Sequence, residues 1–251
     1  MCIFRSRCWH KVLHFLIHRL RSTDDASTGS IIALCLATKS WGLEKCIDTF
    51  RSLCDQAFTP RRLQGIPLLQ FATNFRHGGS KYKTRPLHKA LRKVLGTKKL
   101  FGGKPHETAY RPKVAVTTTE GEGTKAIVIG NYNRPEISSI LSLANTSKRE
   151  VDYEFLRPSD PKCEFNTWEA AAASTAAPRF FKKFRHQTSQ RSFLDGALYH
   201  NNPVRVVQGE RKALWPDVAD RDPDIFLSLG TGQNESQIQH QLRNEDEAED
   251  R

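Results

Sequence analysis

The sequence predicts an α/β layered fold with helices on both faces of a sheet. Three observations carry that reading. Apolar β-type runs recur at KVAVTTT (113–119), KAIVIGNY (125–132) and DIFLSLGTG (224–232). Segments of helical period separate them, and strands that are apolar rather than alternating mark a sheet covered on both sides. The 251 residues are 38% hydrophobic and 26% charged, which suits one medium domain or two small ones and excludes a disordered tail or a fibre.

Each element follows from local pattern. Residues 1–23 are basic and fit nothing downstream, so they read as a leader apart from a domain at 24–235, with a polar, acidic tail at 236–251. The leader's apolar stretch is broken by His14 and His18, unlike a secretory signal, and no apolar run approaches the ~20 residues of a membrane-spanning helix. TGSIIALCLATK (28–39) reads as an apolar helix. In the next segment Leu43, Cys46, Ile47, Phe50, Leu53, Cys54 and Ala57 recur at steps of three and four. They predict an amphipathic helix stopped by Thr59-Pro60. Residues 60–110 are basic and rich in Gly and Pro. Their one helical patch, PLHKALRKVLG, puts Leu87, Ala90, Leu91 and Val94 on one face and stops at Gly96.

The two runs at 113–119 and 125–132 flank EGEG and predict a hairpin. TWEAAAASTAA (167–177) is an Ala-rich helix closed by Pro178, VRVVQGERKAL (204–214) a further short helix, and DIFLSLGTG a buried strand ending in a Gly turn. There is no internal repeat.

The cysteines, Cys2, Cys8, Cys35, Cys46, Cys54 and Cys163, form no C-x-x-C pair and no zinc-type spacing. They read as reduced, buried thiols of an intracellular protein, with Cys46 and Cys54 on one helical face, and no metal is indicated. The formal charge is +12, concentrated at 75–99 and 180–187 with Tyr82 and some Phe interleaved. Three readings share that charge: nucleic acid, an anionic lipid surface, or a solvated basic face. No recognised nucleic-acid module accompanies it, so no specific nucleic-acid partner is expected.

Two positions could carry chemistry. Ser27 lies in D-A-S-T-G, directly before the apolar helix, among the small residues Ala26, Thr28, Gly29 and Ser30. A nucleophilic serine needs such a tight turn, with its hydroxyl exposed and a helix N-terminus facing the reacting carbonyl. An ordinary helix N-cap has the same appearance. Asp195 lies in D-G-A and is followed by Asn201-Asn202-Pro203. A carboxylate there can accept a serine proton with no histidine between them. An ordinary Asp-Gly turn also fits. Neither His186, in a basic loop, nor His200 has the context of a Ser-His-Asp triad, and the nine histidines read mostly as surface residues.

In order, the chain presents the serine turn, LEKCIDTFRSLCDQAFTPR, KVAVTTT, NYNRPE, WEAAAASTAAPRFF, FLDGALYHNNP and DIFLSLGTG. Over roughly residues 25–235 this series resembles the patatin-like phospholipase family, and more closely its fungal members. The resemblance implies a three-layer α/β fold with a mostly parallel central sheet. It also implies a dyad of Ser27 as nucleophile and Asp195 as base that cleaves acyl esters of lipids in lipid metabolism, with no cofactor. The Thr28 N–H and Gly29 belong to the elbow, Gly196 and Ala197 to the aspartate motif, and Asn201 and Asn202 pin the loop carrying it. A lipid substrate, a cytoplasmic setting and peripheral contact with an anionic membrane follow.

The sequence departs from the family pattern at two places. Asp25 stands where the family's G-x-S-x-G elbow has its first glycine. No glycine precedes Gly29, so the glycine-rich oxyanion loop and the first strand are expected to be missing, as in an N-terminally truncated member. A second reading is therefore a catalytically dead paralogue that keeps part of the fold and binds lipid.

Overall fold

The computed structural model describes residues 2–5, 12–15, 28–39, 41–59, 80–101, 112–134, 152–223 and 225–228. Its sheet is built from β1 (Cys2–Arg5), β2 (Val12–Phe15), β3 (Lys113–Glu120), β4 (Ala126–Gly130), β5 (Tyr153–Leu156), β6 (Phe184–Arg185), β7 (Ser192–Asp195) and β8 (Ile225–Ser228). The helices are α1 (Thr28–Lys39), α2 (Leu43–Ala57), α3 (Thr84–Leu95), α4 (Thr167–Ser174), α5 (Ala197–His200) and α6 (Val204–Leu214).

The sheet order is β5-β4-β3-β2-β1-β8, with β7 also paired to β3 and β6 paired to β7. The three-layer α/β class stands, but the sheet is mixed rather than mostly parallel. Only β2–β3 and β4–β5 run parallel among the described pairs. The reason for β3–β4 is local: five residues join the two strands, and a link that short allows only a hairpin.

The pleat sends alternate residues of the hairpin to opposite faces. Val114, Val116, Ile127 and Ile129 pack under α1, α2, α3 and α4, while Ala115, Ala126, Val128 and Tyr132 pack with Tyr153, Val206, Val207 and Trp215 on the α6 side. A carboxylate is buried within this second layer. Glu210 of α6 accepts hydrogen bonds from the Tyr132 hydroxyl at 3.0 Å and the Tyr153 hydroxyl at 2.8 Å, and pairs with Arg134 at 2.6 Å. Both tyrosine pKa values are pushed up, first by burial and then by that carboxylate.

The helices follow their sequence signals closely. α1 is apolar on nearly every side because it has neighbours on every side: β2, β3, α2, α3 and α4. α2 buries Cys46, Leu53 and Ala57 and half-buries Phe50, a ridge of alternating three- and four-residue steps. Ile47, expected on that face, sits on its shoulder and is 36% exposed, and Cys54 is half-buried. α3 begins at Thr84, and Leu95 rather than Val94 completes its buried face; Gly96, at φ 78°, ends it. α4 is opened by a reciprocal cap. The Asn166 side chain meets the N3 backbone, and Glu169 Oε2 accepts the Asn166 N–H at 2.8 Å. All eight of its residues are buried, and the alanines let it lie close on β3 and β7.

Two further expectations are corrected. The basic leader does not stand wholly apart, since β1 and β2 extend the sheet, β2 lying parallel to β3. The strand at 225–228 is not buried, with Ile225 44% and Leu227 43% exposed. It pairs only with β1 among the described strands and sits at the end of the sheet order. The Gly turn expected after it, the acidic tail, and the region proposed to lack the glycine loop next to the serine turn lie outside the described residues. Cys35 and Cys46 are buried thiols, and burial pushes Cys35 up to about 12.

Candidate active site

β4 occupies one edge of β3, so β2 and β7 must share the other. β2 pairs with β3 at Lys113–Ala115 and β7 pairs with it at Thr118–Glu120. β2 runs parallel to β3 and β7 antiparallel, so their carboxyl ends point at each other along this edge. Phe15 is opposite Ala115 and Asp195 is opposite Thr118. Those two β3 residues are about 10 Å apart at the usual strand rise. Among the described residues this edge of β3 is thus occupied at two separate stretches, the gap lying at the carboxyl end of a parallel strand, the place where open α/β sheets form their crevices.

Asp195 ends β7 and is only 5% exposed. It is paired with Thr118 and two residues from Phe193, which packs among the α1–α4 core. By the strand alternation its side chain shares the face covered by α1 and α4. Its surroundings fix it closely. The Asp195 N–H donates to the Ala176 carbonyl at 3.1 Å, just past α4, and its own carbonyl accepts from the Thr119 hydroxyl at 2.8 Å. One carboxylate oxygen accepts the Ala197 N–H at 2.8 Å, the bond of an Asx turn, so the turn reading of D-G-A is also present. Gly196 is required by packing: a Cβ there would lie 2.3 Å from the Thr117 carbonyl oxygen. Ala197 opens α5.

The threonines of β3 were not singled out by the sequence reading. Thr118 Oγ1 lies 2.7 Å from the Leu194 carbonyl and 3.0 Å from that of Ala173, sharing one proton between β7 and α4. With Thr119 it clamps the strand that presents Asp195. The run Thr117-Thr118-Thr119 inside an apolar strand was the available signal, since buried hydroxyls need partners.

Ser27 and Asp25 lie outside the described residues. The described chain resumes at Thr28, the first residue of α1, and Gly29 and Ser30 are buried there. α1 packs on β2, β3 and α4, the layer whose face Asp195 shares. Asn201 and Asn202 are exposed, and Asn202 Oδ1 accepts the Val204 N–H at 3.3 Å where α6 begins. On α5, Leu198 and Tyr199 are 52% and 48% exposed, two apolar side chains within four residues of the buried carboxylate.

The two histidines weighed for a triad each have other partners among the described residues. His200 lies edge-on to Tyr153 at 6.0 Å, in the α6 layer, and burial lowers its pKa. His186, expected at the surface, is 1% exposed. Its ring stacks on Phe165 at 4.1 Å and its Nδ1 is 2.8 Å from Ser189 Oγ, three residues on, which closes the β6–β7 turn. Glu169 Oε2 is 3.6 Å from His186 Nε2. Burial raises the Glu169 carboxyl, but His186 and the Asn166 N–H outweigh it, leaving a pKa below the ordinary value.

A three-layer α/β protein with a buried carboxylate at a strand end is thus defined. Its class can be sharpened by comparison: the patatin-like phospholipase family profile matches residues 26–207, and the chain belongs to that family. It is 27% identical over 220 residues to the calcium-independent phospholipase A2-gamma of Mus musculus and 28% over 218 to that of Homo sapiens, covering 85% of this chain and 24% of each relative. It is 25% identical over 255 residues to phospholipase A I of Arabidopsis thaliana, covering 88% of this chain and 18% of that protein. The chain thus spans about a quarter or less of the length of these curated relatives. Among the described residues no helix is long and apolar enough to cross a membrane.

Proposed function

We propose that this chain is a lipid acyl hydrolase whose Ser27 and Asp195 act as a dyad. The observation that carries the reading is the buried Asp195 on the sheet face covered by α1, the helix that begins one residue after Ser27. Asp195 takes the proton of the Ser27 hydroxyl as its oxygen bonds to the acyl carbonyl carbon. The ester C–O bond then breaks, and the proton passes from Asp195 to the departing alcohol, leaving an acyl-serine. Water gives its proton to the same carboxylate, attacks the acyl carbon and releases the fatty acid, and Ser27 recovers its proton. The N–H of Thr28, at the start of α1, donates to the developing oxyanion. Gly29 and Gly196 keep side chains out of the turn and the strand end, and Asn201 and Asn202 hold the loop after Asp195.

Phospholipid is the proposed substrate class, since the relatives are named as phospholipases. The exposed Leu198 and Tyr199 beside Asp195 offer an apolar path for an acyl chain. The setting that fits is cytoplasmic, with peripheral contact to an anionic membrane through the +12 charge.

A second reading, a lipid-binding paralogue without turnover, has its own observation: Asp25 in the elbow, a carboxylate that opposes the developing oxyanion. Losing one oxyanion donor costs about 10²–10³ in rate. The test is hydrolysis of p-nitrophenyl esters and phospholipid vesicles by the chain, by Ser27→Ala and by Asp195→Asn, which keeps the acceptor for the Ala197 N–H. Each variant should lose about 10³-fold or more in kcat with an unchanged circular dichroism spectrum. Equal background rates in all three folded proteins would establish the second reading instead.

A further inference from the structure

A groove of about 600 Å3 lies between α3 and residues 182–187. Six cations line it: Arg85, Lys89 and Arg92 from α3, and Lys182, Lys183 and Arg185 from the facing segment. The spacing of four and three residues puts the α3 trio on one helical face. Leu87, Ala90, Leu91 and Leu95 occupy the buried face of the same helix. Among the described residues none of the six forms an ion pair. The one carboxylate in the lining, Glu169, is already committed to the Asn166 N–H and to His186.

The walls are built rather than loose. The Lys182 N–H donates to Thr84 Oγ1 at 3.2 Å and ties the facing segment to the start of α3. The Arg92 guanidinium lies over the Trp168 ring at 4.4 Å from its centroid, which holds a planar set of donors in place. His88, in the same lining, packs against Trp168 and Phe184. Six like charges converging on one concavity repel one another, and a concave wall of one sign concentrates counter-ions. The groove adjoins the first turn of α4, whereas Asp195 meets the chain just past that helix's last turn, so the two places are separate.

We propose that this groove is a binding site for a phosphomonoester dianion, carried either by a lipid headgroup or by a soluble metabolite. It goes beyond acyl hydrolysis and stands whether or not the dyad is active. The charge-assisted donors of Arg85, and those Arg185 keeps besides its bond to Gln190 Oε1 at 2.6 Å, suit phosphate oxygens, and the lysines add compact charge.

The test uses the full chain at fixed ionic strength with three probes. These are phosphatidylcholine vesicles containing phosphatidic acid, vesicles of equal surface charge containing phosphatidylglycerol, and soluble glycerol 3-phosphate. The chain should prefer phosphatidic acid to phosphatidylglycerol, or bind glycerol 3-phosphate, according to the source of the phosphate. The double variants Lys182→Glu/Lys183→Glu and Arg85→Glu/Lys89→Glu, on opposite walls and all at exposed positions, should each weaken that binding about tenfold or more. Their p-nitrophenyl ester hydrolysis should equal that of the unmodified chain. Bound phosphate should also raise the His88 titration midpoint seen by NMR. Equal binding to both vesicle types without glycerol 3-phosphate binding, or variants that bind like the parent, would overturn the site, as would a preference for a single-stranded oligonucleotide over every phosphate probe.

Discussion

At Gly196 the whole tolerance for a side chain is a hydrogen atom. A methyl group there would meet backbone, the Thr117 carbonyl at 2.3 Å, and the contact cannot be relieved by turning a flexible chain. Gly196→Ala should therefore destabilise the protein by about 3 kcal/mol in urea unfolding and shift the end of β7. Asp195 was legible from D-G because a short acid before a glycine marks a turn. What the sequence could not give was the reason, since Thr117 is nearly eighty residues away. His186 shows the opposite limit. The histidines of so basic a chain read mostly as surface residues, yet this ring is buried and stacked on Phe165, because burial of one residue depends on which element returns beside it.

Among the elements, α4 depends most on its ends. Eight residues are barely two turns, too short to persist alone, so the reciprocal Asn166–Glu169 cap and contact with the sheet hold it. Asn166→Ala should cost about 1 kcal/mol, seen as a melting temperature lower by about 3 °C. The helices were readable because their period and stop signals are local: the α2 ridge and Gly96 stand within the segments they shape, although α4 ends at Ser174, short of the stop expected at Pro178. Strands were less so. The β3–β4 hairpin is local and was legible, whereas β1 and β2 are four residues each within a basic stretch and gain strand form only from their neighbours. β8 was recognised as a strand, but its exposure reflects its place at the end of the sheet order, which no local pattern encodes.

For the molecule as a whole, buried and half-buried titratable groups bound the pH range of full stability. His88 is lowered to about 4 by burial, with help from Arg92, and His200 is lowered by burial. The unfolded chain then binds more protons than the folded one below pH 6.5, so stability falls as pH drops from 6.5 toward 4. Glu154, whose carboxyl is lowered first by its bond to Arg191, adds loss below its ordinary value of 4.5. At the alkaline end the sign reverses. Cys35 is raised from 9.0 to about 12, so the folded state keeps the proton longer and stability declines as pH rises through that range. Melting temperature against pH should show a plateau between about 6.5 and 9, and His88→Gln should flatten the acid limb.

The shared edge of β3 also bears on how the protein is made. Its two occupants, Val12–Phe15 and Ser192–Asp195, come from nearly opposite ends of the described chain. Such pairings give a high contact order, and closure of the intervening loops must precede any reward from the contacts. On the ribosome, β3 is synthesised more than seventy residues before β7 and meanwhile offers an unpaired stretch at Thr118–Glu120 to any passing strand. The carboxylate proposed to do the chemistry is thus also the last stitch in that edge.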